Sequence, residues 1–273
     1  MPRRSTSIIR PHSRFGRIAL KALDLGSAVV RKHYGQVHHI QAKGGNPKDL
    51  VTETDFASER AILDTITRAF PDHGVFSEEQ GKSGMEQEYI WVVDPLDGTT
   101  NFTRDIPCIS VSIALTRRGR TIVAAVANPL SNEIFFAERG LGAFLNGIPI
   151  HVSRQASLAD AFVCSEWYSR TPQFARHGLK IFSKLATVAP KIRYLSGTVW
   201  SLTRVARGLI DVETCDTSYL DVAAMSLIIN EAGGKLTDEY GRSLKMNDTS
   251  VTRIVAANPN LHREVRQLIR RIR

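Results

Sequence analysis

Cysteine is scarce, with only Cys108, Cys164 and Cys215 in 273 residues. They are too few and too scattered for a disulfide framework or a zinc-binding spacing, which fits a reducing compartment. A cytoplasmic protein is therefore expected. No window approaches the roughly 18 uninterrupted apolar residues that suggest a membrane span, and the continuous apolar segment of a secretory signal is missing as well. Acids are absent from the first 23 residues, which hold Arg3, Arg4, Arg10, Arg14, Arg17 and Lys21. A helical pattern (Ile18, Ala22, Leu25, Val29) starts inside this basic stretch, so it reads as part of the fold and not as a transit peptide. Neither an internal repeat nor a low-complexity tract is visible.

What is present is a soluble globular composition, 42% hydrophobic and 23% charged. The net charge of +9 favours anionic partners, among them nucleic acid, lipid headgroups and small phosphate esters. The terminal "LHREVRQLIRRIR" sets Leu261, Val265, Leu268 and Ile272 on one stripe, as in a docked helix whose cations lie near its negative end. No aromatic residues are interleaved with these arginines, so nucleic acid is not expected as a partner.

Periodicity predicts helices near residues 14–34 and 56–70, then strands at Tyr89–Val93, Ile109–Thr116, Thr121–Ala127 and Glu133–Glu138. Asn146-Gly147 between short apolar runs is a hairpin signal. Around residues 150–160 the texture turns polar and small, a seam that divides an N-terminal lobe (1–152) from a C-terminal lobe (153–273). Beyond it, "KIRYL" and "LIDVET" read as strands, and Thr198–Arg207 and Asp221–Ala232 as helices, the latter ending at Gly233-Gly234. "TRIVAAN" and the terminal helix complete an α+β protein of two lobes.

The chemistry concentrates in "WVVDPLDGTTNF". Asp94 and Asp97 follow an apolar strand at i and i+3, and Pro95 fixes a bend that can turn the Leu96 carbonyl toward the same point. Two carboxylates and a carbonyl are hard oxygen donors, suited to Mg²⁺. Gly98 permits close approach, and the amides of Gly98, Thr99 and Thr100 can cradle an anion. A tight surface loop is the plain alternative. Three further acids fall nearby: Glu78 in "VFSEEQG", Asp55 in "DLVTETD" and Asp221 in "YLDVAAMSLIINEAGG". Simple helix capping is the competing role for Asp55 and Asp221, and a solvated surface acid for Glu78.

Together these segments resemble the inositol monophosphatase family of magnesium-dependent, lithium-sensitive phosphomonoesterases. "DPLDGTTNF" is similar to its most specific motif and "LDVAAMSLIINEAGG" to its second signature, with "DLVTETD", "SEEQG", "GAFLNG" and "SGT" in the family's order. The resemblance implies a two-lobed, layered α/β/α/β/α sandwich. It implies that Glu78, Asp94, the Leu96 carbonyl, Asp97 and Asp221 hold metal, two or three Mg²⁺ ions, with Asp55 contributing to a weaker site. Thr99 would hold the attacking water, assisted by Glu78 or Asp55, with direct in-line attack on phosphorus and no phosphoenzyme. Asp97, Gly98, Thr99, Thr100, Gly197 and Thr198 would contact substrate. A small phosphorylated substrate, such as myo-inositol 1-phosphate, and a homodimer are expected, with no membrane.

Two departures bear on the substrate. Leu220 stands where the family usually has Trp, and Thr214 where it often has a substrate-contacting Glu. Glu213 and Asp216 flank that place as candidate replacements. Lys43 or Lys48 would stand for a basic residue ahead of "DLVT". Histidinol phosphate, fructose 1,6-bisphosphate and 3′-phosphoadenosine 5′-phosphate are alternative substrates. A haloacid dehalogenase phosphatase needs its aspartates at i and i+2, which this loop does not have; a basic RNA- or protein-binding module is the non-enzymatic alternative.

Overall fold

Apolar residues alternate along the strands and fill both faces of two sheets, and this builds the whole architecture. The structure is a computed structural model that describes residues 9–36, 40–42, 50–167, 172–246 and 251–272. Lys43 and Lys48 lie outside the described residues.

Two helices come first, α1 (Arg14–His33) and α2 (Glu53–Ala69), separated by the antiparallel pair β1 (Ile40–Ala42) and β2 (Leu50–Thr52). The sequence pattern starts α2 at residue 56, but Thr52 caps the helix and draws three more residues into it. Strands β3 (Gly74–Ser77), β4 (Gly81–Ser83) and β5 (Tyr89–Asp97) follow. Next come the one-turn helix α3 (Thr99–Phe102) and strands β6 (Ser110–Arg117), β7 (Arg120–Asn128), β8 (Glu133–Glu138), β9 (Ala143–Leu145) and β10 (Ile148–Pro149). All but β1 and β2 join one sheet in the order β10-β9-β8-β7-β6-β5-β3-β4. Asn146 (φ 48°) and Gly147 (φ 79°) close the β9–β10 hairpin, the left-handed pair such a turn requires.

The remainder reads β11 (Phe162–Ser165), α4 (Pro172–Ala186), β12 (Lys191–Arg193), α5 (Thr198–Ala206), β13 (Val212–Thr217), α6 (Tyr219–Glu231), β14 (Lys235–Asp238), β15 (Thr252–Ala257) and α7 (Pro259–Ile269). Its sheet runs β12-β11-β13-β15-β14.

Two outer cores and one central core, which extends over both faces of the middle helical layer, hold five layers together. Trp91 and Val93 of β5 face α1 and α2, whose Leu23, Ile62 and Ile66 are fully buried. Val92, between them, points the other way into a central core with α5 and α6. The opposite side of that helical layer meets Cys215, Ile254 and Ala256 of the smaller sheet. Val163, Val212 and Val255 then face α4 and α7. The order is helix, sheet, helix, sheet, helix, an α+β layered sandwich. Full burial of one such Leu, Ile or Val side chain stabilises by about 1.5–3 kcal/mol.

Helix α6 is not amphipathic. Tyr219, Leu220, Val222, Ala223, Ala224, Met225, Leu227, Ile228 and Ile229 are all buried, because the helix lies between two sheets and has no solvent face. The terminal helix α7 docks through Leu261 and Val265 of the predicted stripe and through Ile269, which the stripe did not include, while Leu268 and Ile272 are only partly buried. No helix among the described residues is long and apolar enough to cross a membrane.

Candidate active site

The acids meet because β3 and β5 run parallel. Ser77 pairs in register with Val93, so Glu78 and Asp94, the next residue of each chain segment, emerge side by side. The Glu78 amide donates to the Val93 carbonyl at 3.2 Å. Strand β5 does not stop at Val93 as its apolar run suggests. It pairs with β6 again at Asp97, after a bulge that sets Pro95 and Leu96 out of register. The Pro95 carbonyl accepts from Ser58 Oγ at 2.9 Å, and the Leu96 amide donates to Asp94 Oδ1 at 3.1 Å. A proline amide cannot donate, so the bulge leaves no lost backbone bond at residue 95.

Asp55 and Asp221 both cap helices; Asp221 lines the cavity, and Asp55 reaches it through Thr99. Each sits at the third position of a capping box, Asp55 with Thr52 and Asp221 with Ser218. Asp55 Oδ2 accepts from the Thr52 amide (2.8 Å) and hydroxyl (2.6 Å), while Oδ1 accepts from Thr99 Oγ1 at 3.0 Å. Asp221 Oδ2 accepts from Thr217 Oγ1 at 2.7 Å and from the Ser218 amide and hydroxyl, both at 3.0 Å. Capping thus fixes the carboxylates in place. The two roles are compatible because a carboxylate has two oxygens.

The second half of the chain locks onto the first at Asp97, whose Oδ2 accepts the Val199 amide at 3.0 Å from the first turn of α5. Gly98 (φ 86°) and Gly197 (φ 98°) flank this contact; a Cβ on either would lie 2.7 Å from the Cys108 carbonyl. Both positions demand glycine, for conformation and for space. Asn101 Nδ2 donates to that same carbonyl at 2.9 Å.

Electrostatics marks the cluster. Burial pushes the Asp94 carboxyl well above its usual range, and the charges of Glu78, Asp97 and Asp221 push it further. Asp97 is raised by burial and then by Asp221, with the Val199 amide opposing. Among the described residues, the charged groups that act most strongly on these two acids are other carboxylates. Like charges gathered in a buried place require a compensating cation, and oxygen-only donors suit a hard divalent one.

Glu78, Asp94, Leu96, Asp97, Gly98, Thr99, Thr100, Gly197, Thr198, Asp216 and Asp221 line one cavity of about 560 Å³. Asp55 stands behind it, fully buried and touching it through Thr99. Glu213 does not line the cavity. Side chains alternate along β13, and Glu213, three residues before Asp216, turns to the opposite face, where it is completely buried near Cys164 and Ser201. Asp216 does face the cavity, ion-paired to the buried Arg253 at 2.7 Å.

Several lining residues were not anticipated from sequence: Lys82, Glu166, Trp167, Tyr194 and Ser196. Trp167 and Tyr194 form an edge-to-face pair with centroids 4.7 Å apart. Glu166 is raised by burial, while the Cys164 thiol and Ser196 amide favour its charged form. A signal for it existed: "FVCSE" has the same form as "VFSEE", an acid just after an apolar strand. Glu59 was also missed. It is fully buried, accepts the Glu79 amide at 2.9 Å and the Gln80 amide at 3.1 Å, and so holds the turn that carries Glu78.

Comparison with known proteins places this geometry. The profile of the inositol monophosphatase family matches residues 13–273. The chain is 36% identical over 246 residues to Nus factor SuhB of Salmonella typhimurium, covering 89% of this chain and 91% of that one. It is 34% identical over 261 residues to inositol-1-monophosphatase of Rhizobium meliloti, covering 93% and 95%. Among solved structures, the extragenic suppressor protein suhB from Bartonella henselae superposes with a TM-score of 0.86 at 30% identity, covering 95% of this chain and 99% of that one. The fold, the ordered motifs and the match over nearly the whole length agree: the chain belongs to the inositol monophosphatase family.

Proposed function

We propose that the protein is a Mg²⁺-dependent phosphomonoester hydrolase acting on a small polyol phosphate such as myo-inositol 1-phosphate. The observation that carries this reading is the convergence of Glu78, Asp94, Asp97 and Asp221 on one cavity, where burial and neighbouring carboxylates together raise Asp94 and Asp97. Relatives named inositol-1-monophosphatase in Rhizobium meliloti and inositol monophosphatase in Mesembryanthemum crystallinum support it.

These four carboxylates and the Leu96 carbonyl would hold two or three Mg²⁺ ions. When bound, the ions supply charge neutralisation for phosphoryl transfer and acidify water. The chain's own part is positioning and proton handling. Thr99 Oγ1 donates to Asp55 Oδ1 and keeps lone pairs free to accept from water. As the water oxygen bonds to phosphorus and the ester P–O bond breaks, a proton passes to Thr99 and the Thr99 proton to Asp55. The departing alcohol oxygen takes up a proton from solvent. Gly98, Thr99 and Thr100 cradle the phosphate, while Gly197, Thr198 and Asp216 face the rest of the substrate.

Phosphate release from a panel tests this: myo-inositol 1-phosphate, histidinol phosphate, fructose 1,6-bisphosphate and 3′-phosphoadenosine 5′-phosphate. Release with Mg²⁺ and none in excess chelator is expected; full turnover in chelator refutes the mechanism. Lithium should inhibit. We also place the protein in the cytoplasm as a homodimer, which sedimentation of the purified chain tests. The SuhB relatives, named as Nus factors, favour a second role, binding of a macromolecular partner. A salt-dependent RNA affinity that survives Asp94→Asn would establish that role beside catalysis.

A further inference from the structure

A second group of donors, which meets the cavity only through Glu166, takes no part in the reaction above. Strands β11 and β13 run parallel with Cys164 opposite Glu213, and the chain past Ser165 brings Glu166 beside them. Donor atoms of Cys164, Glu166 and Glu213 all lie within 4.8 Å of one another, and all three residues are buried. Cys164 Sγ is 3.4 Å from Glu166 Oε1, which also accepts the Ser196 amide at 2.6 Å. Glu213 is 0% exposed, and neither of its oxygens has a hydrogen-bond partner among the described residues. The Cys164 thiol and Ser201 hydroxyl are close enough to favour its charged form but lie outside bonding geometry. Arg253, whose charge also favours ionised Glu213, pairs with Asp216 at 2.7 Å and donates to the Glu166 carbonyl at 2.6 Å.

A protein interior does not leave a glutamate carboxyl without a partner unless something else comes to it. We propose that Cys164, Glu166 and Glu213 form a cation site of their own, selective for a borderline divalent transition ion of the zinc class and distinct from the oxygen-only acids around Asp94. The thiolate makes this donor set softer than the catalytic one, which disfavours Mg²⁺ here. Three protein ligands leave a fourth position, and Glu166 also lines the cavity, so an ion and a water have a route in. The Ser196 amide orients Glu166, as outer contacts orient metal ligands generally. Burial raises the Cys164 thiol and both carboxyls and so favours their protonated forms in the absence of an ion. On binding, the S–H and any O–H bonds break, the protons leave to solvent, and sulfur and oxygen bond to the ion with no change of oxidation state.

Cobalt(II) is the probe, added to the full-length protein in saturating Mg²⁺ so that the oxygen-only acids are already filled. A thiolate bound to cobalt gives a near-ultraviolet charge-transfer band. One equivalent is expected to produce that band, Cys164→Ser to abolish it, and Glu213→Gln to weaken binding by ~10-fold or more, as loss of a ligand must exceed the loss of an outer contact. Asp94→Asn should leave it in place. Zinc should displace the cobalt. Circular dichroism confirms that the near-isosteric Cys164→Ser variant is folded; if it is not, Glu166→Gln serves with the same expected weakening. Absence of the band in the wild-type protein overturns the proposal. So does a band that persists in folded Cys164→Ser, which would come from Cys108 or Cys215, or one that disappears in Asp94→Asn. The outcome is independent of whether the phosphatase reading succeeds.

Discussion

Thr99 Oγ1 lies 3.0 Å from Asp55 Oδ1 and 3.2 Å from the Leu96 carbonyl, one hydroxyl proton facing two acceptors. Asp55 keeps its other oxygen on Thr52, so the Thr99 contact is additional to its capping role. Thr99→Ala is therefore expected to lower kcat by ~10²-fold or more while Mg²⁺ and substrate binding stay near normal. Asp55→Asn should lose comparable rate and also about 1 kcal/mol of stability from the weakened cap. The double variant should be little slower than either single one, because the two side chains act as a unit. An unchanged kcat in Thr99→Ala would remove the proton path.

The raised Asp94 and Asp97 carboxyls make the metal-free protein sensitive to pH in a defined direction. Their folded affinities for protons exceed those of the unfolded chain, so the folded state binds more protons above the unfolded carboxylate pKa near 4. Stability then falls as pH rises through that region and toward neutrality. In chelator, melting temperature should drop as pH rises from the unfolded carboxylate pKa near 4 toward neutrality, and Asp94→Asn should flatten the drop. Mg²⁺ should reverse it by occupying the ionised acids. A chelated protein whose stability rose across that range would contradict this reading.

Asp216 and Glu213 separate under substitution because they face different ways. Asp216 lines the cavity and Glu213 does not. Asp216→Asn should change relative kcat/KM across the phosphate-ester panel, since a pocket acid discriminates hydroxyl patterns by hydrogen bonding. Glu213→Gln should leave those ratios alone. Arg253→Ala, by stranding a buried acid, should cost about 3–5 kcal/mol of stability in thermal or denaturant unfolding. Equal effects of Asp216→Asn and Glu213→Gln on the ratios would mean that β13 is placed differently around the substrate.

Much of this was legible in the sequence where one local pattern determined one outcome. Asn146-Gly147 specified its hairpin, and the Leu261, Val265 stripe its docked helix. The acids of "DPLDGTTNF" lie where the strand and its proline suggest. What the pattern did not reveal depended on partners distant in sequence. α6 is recognisable as a helix in the sequence, but its enclosure between two sheets depends on strands distant in the chain. β5 runs on to Asp97 because β6 supplies ladder partners beyond the apolar run. Glu213 and Asp216 are three residues apart, and the strand's period of two decides which of them faces the cavity. The Asp216–Arg253 pair joins residues 37 positions apart, so no local pattern announces it.

Glu59 offers the sharpest test of how the proposed metal site is supported from outside. Its Oε1 accepts the Glu79 amide and its Oε2 the Gln80 amide, at 2.9 and 3.1 Å. These bonds restrain the turn between β3 and β4 immediately after Glu78, although Glu59 is not among the residues lining the cavity. A charged acceptor on backbone amides is stronger than a neutral one, so Glu59→Gln should weaken the turn and Glu59→Ala should free it. Loss of such an outer contact is expected to raise the Mg²⁺ dissociation constant by about 10–100-fold. The maximal rate at saturating Mg²⁺ should largely recover, because Glu59 handles no proton. A merely structural role would instead lower melting temperature with Mg²⁺ affinity unchanged. Mg²⁺ titrations of kcat in wild type, Glu59→Gln and Glu59→Ala distinguish the two, and a graded rise in the half-saturating Mg²⁺ concentration is the expected result.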